Sequence, residues 1–303
     1  MSKALMALLC LMIGLFNYST KAQQQNIASA TTQSTAATAA KSSSTLLWKI
    51  EGNGIQPSYL YGTFHLLPQK DFLLKENVKK AFKAADQIVM ELDMDDPNMQ
   101  AEMMQSMMMK DGQTLDKLLS EENYKALDKQ VTAKLGSSLQ MMNNWKPFFI
   151  GSMLIIQYIE GPPASFEQTF TQMAMEQKKE ILGLETVGEQ MAIFDIIPYQ
   201  EQIEDVKEML DDNFNIDKIF QDMINMYKAE NVEGLYQYVA DYMDTELEKE
   251  ELLNKRNRNW IPRIGEMAKE KSTFFGVGAG HLGGEQGLLV LLRKAGYTLS
   301  PVQ

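Results

Sequence analysis

The sequence predicts an α/β fold: a central mixed sheet flanked by helices, with a large helical insertion acting as a cap. Three observations lead there. Short apolar runs bounded by Gly and Pro occur near both ends of the chain, as strands require. Segments of helical periodicity alternate with them. The stretch from Pro97 to Gly161 carries helical patterns alone, which suits an insertion into the sheet better than a second domain.

The chain opens with Lys3, an apolar run from Ala4 to Phe16, and the small-residue end Thr20-Lys21-Ala22. That is the layout of a secretory signal peptide over 1–22, too short in its apolar part to span a bilayer comfortably. Cleavage after Ala22 would remove the single cysteine, Cys10, and with it every thiol ligand or disulfide. Residues 23–45 are Gln, Ser, Thr and Ala with little to bury, which reads as a flexible tether. The folded domain is expected over 46–303.

Leu46 to Glu51 and Ser58 to His65 read as a strand pair joined through Gly52, Asn53, Gly54 and Pro57. In the second, Tyr59, Tyr61, Thr63 and His65 would share one face. Lys75 to Ala85 reads as a helix and Gln87 to Asp93 as a strand. The helical middle breaks near Gly112 and Gly136 and at Trp145-Lys146-Pro147. Phe166 to Gln177 is helical, and Glu180 to Leu184 is a strand leading into Glu185-Thr186. Acidic amphipathic helices follow from Glu189 to Gly234, with a break at Pro198, and helical pattern continues to about Lys271. Thr273 to Val277 reads as a strand, Gly284 to Ala295 as a helix, and Tyr297 to Val302 as the closing strand.

A formal charge of −11 argues against a nucleic-acid partner, because phosphate binding needs a basic surface. With 45% hydrophobic residues the chain can bury a substantial core and is no disordered polyanion. Without the leader it would not be an integral membrane protein.

The chain has two histidines, and both lie in the same pattern: Gly62-Thr63-Phe64-His65 and Gly278-Ala279-Gly280-His281. Each G-x-x-H closes an apolar strand, and strand C-termini are where ligands sit in α/β sheets. A neutral imidazole is a metal ligand and a general base, so the matched pair points to one shared site. Such a site needs a carboxylate, as third ligand or as base for bound water. Glu91, at the end of Ile88-Val89-Met90, is the first candidate; its ordinary role would be a solvated acid beside Asp93, Asp95 and Asp96. Glu185, in Gly183-Leu184-Glu185-Thr186, is the second, with helix capping as the plainer reading. Arg256, followed by Asn257, could clamp a carboxylate or a developing oxyanion, although basic residues on helices are usually solvated. The Met99, Met103 and Met107 stripe suits a core or cap face better than a copper box. There is no G-x-S-x-G nucleophile elbow.

Leu60-Tyr61-Gly62-Thr63-Phe64-His65-Leu66-Leu67-Pro68 resembles the opening motif of the TraB/GumN family, which includes the Tiki metalloproteases. The later pieces match in order: the Glu91 strand, Gly183-Leu184-Glu185-Thr186, Arg256-Asn257, and Gly276-Val277-Gly278-Ala279-Gly280-His281-Leu282. The resemblance spans Leu46 to Val302 and implies a fold similar to erythromycin-esterase-like and ChaN-like proteins. It also implies a site built from His65, Glu91 and His281, with Arg256 and Glu185 in support and a divalent ion such as manganese, cobalt or zinc. The expected function is that of an exported metal-dependent hydrolase acting on peptide or protein substrate. A non-catalytic envelope protein binding a ligand or partner, or a metal-independent esterase, are the alternatives. Substrate and oligomeric state stay open.

Overall fold

Residues 45–303, except 212, 215 and 244, are described in a computed structural model of the chain. The expected leader and most of the tether lie outside the described residues. Thr45 is already part of the fold: it is buried, and its carbonyl accepts the Trp48 indole N–H at 2.8 Å.

Eight strands run in chain order as β1 (Leu47–Glu51), β2 (Ser58–Thr63), β3 (Leu67–Pro68), β4 (Gln87–Met90), β5 (Pro163–Ala164), β6 (Ile181–Gly183), β7 (Thr273–Gly278) and β8 (Thr298–Pro301). Six form one sheet in the order β6-β4-β7-β2-β1-β8, and β3 pairs with β5 apart from it. That small ladder is unexpected, since two residues per strand are too few to leave a pattern. β6, β4, β7 and β2 are mutually parallel, whereas β1 is antiparallel to both β2 and β8. β4 and β7 are buried along their whole length. This is what parallel strands covered on both faces require, and why, after the opening Gln87 and Thr273, which bond to each other, neither strand carries a polar side chain. Phe82, Phe170 and Phe274 pack edge-on and stacked on one side of the sheet, with ring centroids 5.1–5.3 Å apart.

The turn between β1 and β2 has Gly52, Asn53 and Gly54 at positive φ, 97°, 49° and 73°, conformations that favour Gly and Asn. β2, however, stops at Thr63, two residues short of expectation. Thr63 pairs with Gly278, the last residue of β7, and beyond it β7 becomes the helical turn Ala279–His281. Phe64 has no strand left to pair with, so His65 leaves the face that Tyr59 and Tyr61 define.

Between β4 and β6 lie the helices Met99–Ser106, Leu115–Leu118, Glu121–Leu135 and Pro147–Ile156, as the helical middle predicts. Gly136 ends the third at φ 71°, and Pro147 opens the fourth. Met99, Met103 and Met107 are buried and Met104 is exposed, so the methionine stripe is core. Phe148 stacks on Phe194 at 4.3 Å, tying the inserted helices to the segment after β6. Pro198 sits at the N-cap of Tyr199–Met209, where the sequence placed a break.

The helix Lys255–Glu270 follows a π-helical turn, Glu250–Asn254. Its buried residues Trp260, Ile264 and Ala268 recur every four positions, and the same stripe continued toward the N-terminus lands on Arg256. Asn257 lies beside it. The apolar stripe of an ordinary amphipathic helix thus carries two polar side chains into the interior.

Candidate functional site

Four parallel strands side by side deliver four chain reversals to one edge of the sheet, and each reversal carries one predicted residue. His65 follows β2, Glu91 follows β4, Glu185 follows β6 and His281 follows β7. The edge is the C-terminal one, where α/β sheets place their chemistry. Close packing keeps the reversals together. A Cβ on Gly62 would lie 2.7 Å from Leu282 Cδ1 and 3.1 Å from Ala279 Cα, so the first G-x-x-H glycine admits the second motif's turn. A Cβ on Gly183 would meet Asp93 N and Glu185 O, each at 2.8 Å. Absent side chains at these two positions are a geometric requirement of the site.

At the centre stands Arg256. Its Nη2 donates to Glu91 Oε2 and to Glu185 Oε1, both at 2.6 Å. Nε reaches Glu185 Oε2 at 3.1 Å and Oε1 at 3.2 Å. Nη1 donates to Leu252 O at 3.1 Å and faces His281 Nε2 at 3.1 Å. All five N–H groups of the guanidinium are therefore engaged within the protein. Its carbon lies 4.8 Å from the Trp260 ring centroid. The neighbouring carboxylates raise its pKa further, more than offsetting a burial that works against the charge.

Glu185 is equally occupied. Besides Arg256, its Oε1 accepts from Gln190 Nε2 at 2.9 Å and its Oε2 from Trp260 Nε1 at 3.3 Å. Burial nevertheless pushes its carboxyl up, with Arg256 only partly compensating. Glu91 differs. Its Oε2 takes the Arg256 bond, while Oε1 accepts the Gly278 N–H at 2.8 Å and faces both imidazoles. The Nε2 atoms of His65 and of His281 each lie 3.9 Å from that one oxygen.

The two rings have different surroundings. His281 Nδ1 is 2.7 Å from Asn257 Oδ1, and the Asn257 amide nitrogen is already directed to Gln286 O at 2.9 Å. The amide oxygen can only accept, so Nδ1 carries the proton and Nε2 presents its lone pair to Arg256. Burial, then the charge of Arg256, hold the His281 pKa well below its ordinary value. His65 Nδ1 is 2.9 Å from Glu167 Oε1, and its Nε2 is buried with no hydrogen-bond partner. Burial disfavours a charged His65, but the Glu167 charge and hydrogen bond outweigh it and raise the pKa. Conversely, Glu167 is held down at about 2: burial opposes this, and the charge and hydrogen bond of His65, with Thr63 and Ser165, overcome it.

The structure brings together every residue singled out in the sequence: His65, Glu91, Glu185, Arg256 and His281, none more than 7 % exposed. Glu167, Gln190, Asn257's role and Trp260 escaped sequence reasoning. Glu167 lies in the first turn of a helix, where an acid is ordinary, so only its burial distinguishes it.

For a cation the arrangement is half prepared. Among the described residues, no three His, Cys, Asp or Glu groups converge closely enough to hold one outright. Yet the unpartnered His65 Nε2 and the Glu91 Oε1 beside it are a nitrogen and an oxygen donor of the kind divalent transition ions take. His281 Nε2, also 3.9 Å from Glu91 Oε1, is occupied by Arg256 Nη1 at 3.1 Å. Also among the described residues, no helix is long and apolar enough to cross a membrane.

A family model described as the TraB/PrgY/gumN family matches residues 46–301. The chain is 23% identical to metalloprotease TIKI1 of Danio rerio, over 83% of this chain and 62% of that protein. It is 23% identical to metalloprotease TIKI2 of Xenopus tropicalis, over 83% and 58% of the two chains. TIKI1 of Xenopus tropicalis is 24% identical over 83% and 60%. The chain thus spans about three fifths of the length of the curated relatives it matches. No solved structure matches it.

Proposed function

The chain belongs to the TraB/PrgY/gumN family, and from that premise we propose that it is an exported, metal-dependent hydrolase of peptide bonds. The observation that carries this reading is the shared 3.9 Å approach of both imidazole Nε2 atoms to Glu91 Oε1. The relatives' name, metalloprotease, supplies the bond type. The leader-like first 22 residues supply the export.

A divalent ion would be held by His65 Nε2 and His281 Nε2 beside Glu91 Oε1, where it would polarise the scissile carbonyl and acidify a water. Glu91 is the proton acceptor in this reading, because Oε1 is the carboxylate oxygen that faces both rings. Glu185 does not share that role, since Arg256, Gln190 and Trp260 already occupy both its oxygens. Nor is Arg256 assigned to an oxyanion: four of its donors are held by Glu91, Glu185 and Leu252 O, and the fifth, on Nη1, would have to turn from His281 Nε2 when an ion takes that nitrogen. The pair instead fixes the second oxygen of Glu91, so that the first is aimed at the imidazoles. Since the whole group is buried, a peptide reaches it only when the covering helices part. The helix Val187–Ala192, which carries Gln190 and packs on Met99–Ser106, is one such cover.

One observation favours a second reading. Arg256 already places a positive charge against Glu91, Glu185 and His281. A metal-free esterase would use this charge, with His65 Nε2 as base. A peptide-library cleavage screen on the mature protein, with and without chelator, separates the two. Cleavage abolished by chelator and restored by manganese or cobalt is expected. Cleavage indifferent to chelator gives the site to the metal-free reading, and no cleavage of any peptide overturns the proposed substrate class.

A further inference from the structure

Glu167 has three buried partners, two at or just beyond the end of β2 and one at the N-cap of its own helix. Its Oε1 accepts Thr63 Oγ1 at 2.6 Å and lies 2.9 Å from His65 Nδ1. Its Oε2 accepts Ser165 Oγ at 2.7 Å. Thr63 is the last residue of β2, two before His65, and Ser165 is the N-cap of the helix that carries Glu167. The carboxylate is thus pinned at both oxygens, one side to the strand that delivers the imidazole and the other to its own helix.

A carboxylate so held by two hydroxyl donors can only accept from the third partner. His65 Nδ1 must therefore be the donor. In a neutral ring the second nitrogen then has a lone pair and no proton, and that nitrogen is the one buried without a partner 3.9 Å from Glu91 Oε1. The geometry points to Glu167 as the positioning residue of His65: it fixes the Nδ1–H tautomer and aims a bare Nε2 at Glu91, with Thr63 and Ser165 fixing Glu167 in turn. Asn257 does the corresponding work for His281 with an amide oxygen. The two rings are therefore presented alike but backed unequally, His65 by a charge and His281 by a dipole. A carboxylate behind an imidazole raises its strength as a ligand and base, which makes His65 the stronger donor of the two. That the bare nitrogen serves hydrolysis rests on the proposed function; the tautomer itself does not.

The test is a two-bond ¹H–¹⁵N correlation spectrum of the uniformly labelled, metal-free mature protein at pH 8. With two histidines in the sequence, a His281→Gln sample assigns the signals. Wild type is expected to show His65 as the Nδ1–H tautomer. Glu167→Gln, which keeps an amide oxygen as acceptor, should retain it; Glu167→Met, which fills the space without one, should give a tautomer mixture. In Glu167→Met, cobalt affinity should fall about 10–100-fold, with recovery in Glu167→Gln. An Nε2–H tautomer or a protonated ring in wild type overturns the assignment, as does an unchanged pattern in Glu167→Met. The wild-type spectrum decides even if a variant does not fold. If the tautomer is as expected but the protein neither binds cobalt nor cleaves peptides, the hydrolase reading fails and the placement of His65 by Glu167 stands.

Discussion

Arg256 and Glu185 meet through three hydrogen bonds, two from Nε and one from Nη2, with both side chains buried. The same guanidinium also holds Glu91. Two buried carboxylates thus depend on one cation, and neither can recover water if it is lost. Arg256→Met should destabilise the fold by about 3–5 kcal/mol, the range for stranding a buried charge. Arg256→Met combined with Glu185→Gln should be milder than the sum of the two. Chemical denaturation measures both. Additive losses would show that the pair is not coupled.

Glu91→Gln keeps the size and the contact with Arg256 Nη2 but removes the proposed proton acceptor. Turnover should drop by about 10²–10⁴-fold, the usual contribution of a general base, while the unfolding transition stays cooperative. Glu185→Gln should lower turnover far less at comparable stability. Equal losses in the two variants would contradict the division of roles between the carboxylates.

Gly62→Ala tests the contact between the two G-x-x-H segments. The added Cβ, at 2.7 Å from Leu282 Cδ1 and 3.1 Å from Ala279 Cα, pushes on the turn that carries His281. Leu282 can rotate, but the Ala279 backbone cannot without moving His281. A loss of about 1–3 kcal/mol is expected, the cost of overpacking, together with reduced turnover. Wild-type stability with wild-type activity would mean that the turn has room to yield.

The end of β6 offers a pH dependence. Glu189 is held at about 2, from an ordinary 4.5, chiefly by its hydrogen bonds from Arg263; burial opposes this, and the Thr186 backbone and the Arg263 charge add to it. Arg263 also donates to Leu184 O, beside Glu185. A depressed carboxyl pKa contributes stability that is present above about pH 4.5 and is lost as pH falls toward 2. The pair is partly exposed, so solvent screening keeps the effect small. The Tm difference between wild type and Glu189→Ala should shrink from pH 7 to pH 2.5. A constant or widening gap would rule out the ion pair as its source.

Much of this was legible in the residues. The duplicated G-x-x-H, each at the end of an apolar run, located both histidines, and the strand ends beside Glu91 and Glu185 located the carboxylates. Strand lengths erred at the edge that matters, because β2 and β4 end where their partners do, and pairing partners cannot be read from one strand's alternation. Glu167 was hidden for a different reason. Its significance lies in meeting Thr63 and His65 across the fold, and nothing local marks an acid in a helix's first turn. Arg256 was visible as a residue but not in its role. Only the four-residue recurrence through Trp260, Ile264 and Ala268 hints that it points inward.

His65 and His281, from opposite ends of the domain, are proposed to form one ion-binding group beside Glu91. Cobalt titration of the metal-free protein, followed by its visible absorption, is the sharpest test. One equivalent per chain is expected in wild type, with the spectrum lost in His65→Ala and in His281→Ala alike. Undiminished binding in either variant would separate the two imidazoles and contradict the shared site.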